Sequence, residues 1–358
     1  MNNLEELNSS NAAEQVPYSA IQHNVDTIAI SSAEMGQLWS TYMAQSMSKC
    51  MVPFFIEKCK DADIRSLLQF VLDVSNRHVN SITEIFNKSS IPVPHGFTDE
   101  DFDINAKPLY GDTFMLLYSK FMAKYGMINF SFARSISVRP DIIGFFEGCL
   151  NDFNEISNRS SNVGLSKGLV SRAPNIPIPD RVEFVTAETS FFKGLMGDKR
   201  PLNALEIGHI FVNVHQRQLE DALLLGFGQV AKSKKIKNYF SRGKQIIDKQ
   251  VGVLGSLLED EDLPKPINYD YLVTDSTESP YSDKLMLFHS TIFLAHSISG
   301  YGLALANCAR ADIVSSLTRL MAEFAGYVKD GLDLMIENGW FEKIPEAANR
   351  KELRTMNN

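Results

Sequence analysis

The chain repeats itself, almost without gaps, 172 residues apart. Glu34 aligns with Glu206, Gly36 with Gly208, Ile64 with Ile236, Pro92 with Pro264 and Pro94 with Pro266. The second copy then loses one residue, and the match resumes. Asp112 aligns with Asp283, Met115 with Met286, Arg139 with Arg310, Asp141 with Asp312, Phe153 with Phe324, Gly168 with Gly339 and Pro174 with Pro345. A period kept over such a length means that one fold is made twice.

Two units of ordinary domain size account for the 358 residues. The expected division is a disordered polar arm over 1–26, a first bundle over 27–174, a proline-containing connector over 175–200, a second bundle over 201–350 and a tail over 351–358. A hydrophobic content of 44% and a charged content of 22% are those of a soluble globular protein. The net charge of -8 argues against nucleic acid as a partner. Lys232, Lys234, Lys235 and Lys237 read as a solvated helix start. Cys50, Cys59, Cys149 and Cys308 form no CxxC pair, which suits packing in a reducing compartment. The N-terminus has no basic or apolar leader pattern, and no apolar run reaches the length of a membrane span. A cytoplasmic protein is therefore expected.

Each copy reads as four long helices. Ser31 with Glu34, and Asn203 with Glu206, form capping boxes at the first helix of each repeat. Behind them run rows of apolar residues at helical spacing, such as Leu38, Trp39, Tyr42 and Phe54. Asp112 is the expected cap of the third helix, while Gly168 and Gly339 are left-handed stops of the fourth. Helices one and two are joined tightly, near Lys60 and near Ser233. About twenty residues separate helices two and three, from Ser89 to Gly111 and from Leu263 to Ser282. A helix of 27 residues is about 40 Å long, and twenty extended residues reach about 66 Å, so this linker can run the length of the bundle. The fold expected is all-α: two tandem ferritin-like four-helix bundles, up-down-down-up, each with one long crossover.

That architecture invites a di-iron centre, which takes Glu from two helices and Glu-x-x-His from the other two. The pattern is not there. His78 sits at a histidine position, but Ser75 stands three residues before it, and the second copy has Ile247 and Gln250. Helix four turns Cys149, Leu150 and Phe153 inward in one copy and Leu320, Met321 and Phe324 in the other, with Glu147 and Glu323 on the flanks. Helix one offers only the terminal capping glutamates.

Helix three carries Tyr118 and Tyr125 at core-facing positions, with His289 and His296 at the same places in the second copy. Together with His215, the second bundle could gather three imidazoles for zinc or a single iron. His289 and His296 lie two turns apart, about 10.5 Å along the axis, which is long for one ion. The competing reading has these histidines bonded to Gln250 or backbone. Arg139 with Asp141, and Arg310 with Asp312, stand too close in sequence to face each other on a helix. The aspartates are expected to favour the helix start, and the arginines to reach another helix end or the crossover. Gly226-Phe227-Gly228 follows no strand and is no dinucleotide fingerprint.

The strings LNALEIGHIF, LLLGFGQVAKS, PYSDKLMLFH and IENGWFEKIPE, with PVPHGFTDEDF in the first half, resemble a family of unknown function from spore-forming bacteria. The resemblance covers residues 28–350. It implies two ferritin-like repeats and a spore-forming source, and some members carry a spore-coat-like label. The family has no agreed catalytic residues to carry over. The leading expectation is a non-enzymatic structural or interaction protein, spore-associated, with protein partners or self-association and no cofactor. A metal-binding or oxidase-like enzyme using His215, His289 and His296, or His78 with Tyr118, is the first alternative. The second is a small-ligand module using the bundle interior.

Overall fold

The structure is a computed structural model and describes residues 24–185, 192 and 199–355. Nearly all of the expected N-terminal arm, half of the connector and residues 356–358 lie outside the described residues.

Eight long helices carry the fold. The first repeat has α1 (Ser32–Lys58), α2 (Ala62–Lys88), α3 (Asp112–Ile136) and α4 (Pro140–Ser166). The second has α5 (Ala204–Val230), α6 (Lys234–Glu259), α7 (Asp283–Asn307) and α8 (Ala311–Glu337). A short α9 (Arg350–Thr355) occupies the stretch expected as a tail. There is no strand among the described residues, and the two β-bridges between the crossovers are isolated. No described helix is long and apolar enough to cross a membrane.

Hydrogen bonds at the helix ends fix the direction of each helix. Asp112 Oδ2 at the start of α3 accepts from the amides of Lys60 and Asp61, at 3.0 and 2.7 Å, in the α1–α2 turn. The crossover has therefore carried the chain back along the whole bundle. At the other end, Glu34 Oε1 accepts from the amides of Val138 and Arg139 at 2.9 and 2.8 Å, so α4 starts beside the start of α1. The order is up, down, down, up. Asp283 with Lys232 and Ser233, and Glu206 with Ala309 and Arg310, repeat both contacts in the second bundle.

The capping boxes of Glu34 and Glu206 form as expected, with a second task added. Each carboxylate satisfies orphan amides at the starts of two helices at once. Asp112 differs from its expected role. Gly111 is the residue before α3, and the aspartate serves the α2 turn instead. Arg139 and Asp141 also differ, because they do pair, at 2.8 and 2.7 Å. Arg139 is the extended residue before α4, so helical spacing does not govern its side chain. Its guanidinium also reaches Ser89 at the end of α2, the kind of partner expected. Gly168 and Gly339 stop α4 and α8 at φ of 66° and 69°, where any Cβ is strained.

The two bundles pack as pseudo-symmetric mates. Tyr110 in the first crossover donates to Leu223 O at 2.8 Å, and its equivalent Tyr281 donates to Met51 O at 3.3 Å. Gly226 permits the first of these, since a Cβ there would lie 2.5 Å from the Tyr110 oxygen. Bridges Phe102–Tyr281 and Tyr110–Val273 are again one contact seen from both sides. Along the seam, Tyr118 meets His289 and Tyr125 meets His296, each residue against its own equivalent. Two such pairs, seven residues apart, mean that α3 and α7 run parallel along the pseudo-two-fold axis.

Candidate functional site

The first bundle is hollow. A cavity of about 340 Å³ opens among its four helices, with its mouth between α1 and α7 at Ser40, Ala295 and Ser299. Its walls are mainly apolar: Val52, Phe55, Val74, Met122, Phe153 and Ile156. Polar atoms come from Gln45 and Ser48 on α1, Ser75 on α2, and Asn129 and His296 near the mouth. No Asp, Glu, Lys or Arg lines it. Ser75 Oγ lies 3.0 Å from Val71 O and 2.8 Å from Ser48 Oγ, so the two hydroxyls share one hydrogen bond. Gln45 is 5% exposed, and its Oε1 has no hydrogen-bond partner. An unpaired buried acceptor is costly, which marks the amide as a group awaiting a donor.

The second bundle is filled at the same place. Arg217 stands where the first repeat has Gln45, Glu220 where it has Ser48, Ile247 where it has Ser75, and Ser297 where it has Gly126. Arg217 and Glu220 are both 0% exposed and meet at 3.1 Å. The guanidinium lies 4.8 Å from the Phe324 ring centre and 5.3 Å from that of Tyr301. Ser297 Oγ bonds both Arg217 and Glu220, and Tyr301 donates to Gln250 Oε1 at 2.6 Å. Burial pushes the Glu220 carboxyl up to about 7, even against the pull of Arg217 and Ser297. A surface groove of about 320 Å³ lies where the second mouth should be, between α3 and α5. Tyr125, one of its lining residues, bonds Gln216.

The residues singled out in sequence do not come together. His78 bonds Asp152 Oδ2 at 3.0 Å and stacks on Phe153 inside the first bundle. His289 Nε2 and the Tyr118 hydroxyl are 2.7 Å apart across the seam. His296 meets Asn129 at 3.1 Å, and His215 meets the Tyr269 hydroxyl at 2.9 Å. His215, His289 and His296 thus have three separate partners, and none of these is Gln250. Burial lowers all three, His215 to about 4 and the other two to about 3, which keeps them neutral. Among the described residues, no three His, Cys, Asp or Glu side chains converge as a metal would require. Tyr118, Tyr125, His289 and His296 were expected to face their own cores; Tyr118 and His289 do so, and all four also meet across the seam. α3 and α7 are buried around most of their girth, so apolar spacing could not tell one face from the other.

The expectation that helix one carries only capping glutamates is also corrected. Glu220 and Asp221 are buried in the middle of α5, the latter paired with Lys244 at 2.7 Å. The signal was present. The apolar row Ile210, Val214, Leu224 on α5 is interrupted at Arg217 and Asp221, where the first copy has Gln45 and Lys49.

Fold and site together define a tandem pair of crossover four-helix bundles, one hollow and one filled. The chain belongs to the family described as "Protein of unknown function (DUF3231)", whose model matches it twice, over 20–182 and 190–353. That agrees with the two-repeat family of unknown function that the sequence strings resemble. A crystal structure titled "putative spore coat protein", from Bacillus halodurans C-125, matches at 14% identity and a TM-score of 0.37, covering 45% of this chain and 100% of that one. No curated protein matches.

Proposed function

We propose that the protein is a non-catalytic binding module whose first bundle receives a small molecule, while the second serves as a solid scaffold. One observation carries this reading: a largely apolar cavity of about 340 Å³ at the position that Arg217 and Glu220 fill in the other copy. Interiors are normally packed with few voids larger than a water molecule. A void of this size, in one copy of a duplicated core and open at one side, has the form of a ligand pocket. It develops the small-ligand alternative and keeps the expectation of a non-enzymatic role.

A second reading, as an interaction protein, draws on the described part of the connector. Ile178, Val182 and Phe184 are 91, 87 and 88% exposed there, more apolar surface than a free segment needs.

The double variant Ser48→Leu/Ser75→Ile tests the first reading. It removes both partners of one hydrogen bond, so neither hydroxyl is left unpaired. The cavity should fill, with a gain of about 0.5–2 kcal/mol, seen as a rise in Tm of about 2–4 °C for each kcal/mol. Uptake of small apolar probes, followed by calorimetry, should disappear. A variant that is filled by its crystal structure yet binds probes as before would overturn the proposal.

A further inference from the structure

Resting on that reading, we infer that the cavity takes a flat, uncharged aromatic molecule bearing a hydroxyl group, held with its ring toward Phe130 and Phe153 and its hydroxyl on Gln45 and Ser48. The mould is the other half of the protein. In the second bundle, the side chain at the Gln45 position is Arg217, whose planar guanidinium lies over Tyr301 and Phe324. Phe130 and Phe153 hold those two ring positions in the first bundle and border the cavity. A flat group therefore fits against them, as it does in the copy. Aromatic pairs prefer such offset or edge-on contacts.

Charge is excluded by the walls. No ionised side chain lines the cavity, and His296 is held neutral by its burial, so a carboxylate or ammonium would enter without a counter-charge. The polar end is defined by Gln45 and Ser48, one turn apart on α1. Gln45 Oε1 has no partner, and beside it Ser48 Oγ shares one hydrogen bond with Ser75, which leaves the Ser48 hydroxyl capacity for a further bond. A hydroxyl donates and accepts, so it matches this pair, and it matches the amide in either orientation. Two fused rings are within reach of a cavity about twice the roughly 150 Å³ that admits benzene.

The probes are 2-naphthol, naphthalene and 2-naphthoate, titrated calorimetrically into the full chain and into Gln45→Leu and Ser48→Ala. The expected result is that 2-naphthol binds about tenfold more tightly than naphthalene. 2-Naphthoate should bind more weakly than either, and the advantage of the hydroxyl should shrink in both variants. Equal binding of naphthol and naphthalene, or preference for naphthoate, would overturn this ligand class while leaving the cavity as a binding site. Failure of all three probes to bind would remove the binding reading as well.

Discussion

Arg217→Met is expected to cost about 3–5 kcal/mol of stability, because it leaves Glu220 as an uncompensated charge in the core. Glu220 is 0% exposed and has only Ser297 as a remaining polar neighbour among the hydrogen bonds described. The double variant Arg217→Met/Glu220→Leu should regain most of that loss, since apolar side chains of similar volume replace a buried ion pair at little or no cost. The loss should also depend on pH in a definite direction. Glu220 titrates near 7 in the fold, above the 4.5 of an ordinary glutamate. The native state thus holds this proton more tightly than the unfolded chain does. Its contribution to stability is fully present below pH 4.5 and is lost as pH rises through 7. Removing Arg217 raises the carboxyl further, so the single variant should be hurt less at pH 5 than at pH 8. Urea unfolding at both values, followed by helical circular dichroism, reads both effects. A single variant as stable as the double one would show that the pair does not act as a unit.

The second large effect is expected at Glu206. Its carboxylate accepts from the amides of Asn203, Ala309 and Arg310 and meets Arg200 at 2.7 Å. Glu206→Ala strands three amides at the starts of two helices, with an expected cost of about 2–4 kcal/mol. Burial raises the carboxyl, but Arg200 and the three amides outweigh it and hold it down to about 2. A carboxyl lowered in the fold adds stability above its unfolded value of 4.5, and this is lost as pH falls toward 2. The wild type should therefore lose stability over that interval and Glu206→Ala should lose less, as thermal melts across pH 2–5 would show. Parallel acid curves for the two proteins would remove Glu206 as the tie between α5 and α8. Glu34 plays the same part between α1 and α4, with its carboxyl also lowered, so the effect should recur in the first bundle.

The architecture was legible in the sequence because its signals are local. Capping boxes, left-handed glycines and the length of the crossover each depend on a few neighbouring residues, and each appears in both copies. The seam was not legible. Tyr118 and His289 meet only because two bundles pack along α3 and α7, and a helix that is apolar nearly all round does not say which face meets which neighbour. Arg139 and Asp141 were misread for a narrower reason: a spacing rule for helices was applied to the extended residue before one. The cavity lay hidden in the differences between the copies. Gln45 against Arg217 and Ser48 against Glu220 look like ordinary surface variation until the fold turns both positions inward. Asp152 was overlooked in the same way, its carboxylate reaching His78 from the flank of α4.

The asymmetry between the halves can be seen without any knowledge of a natural ligand. Xenon enters dry apolar voids and avoids packed ones, so crystals held under xenon pressure should show it in the first bundle, between Phe55, Met122 and Phe153. The space around Arg217 and Tyr301 should stay empty of it. Xenon in neither bundle, or equally in both, would contradict a duplicated fold with one hollow copy and one filled.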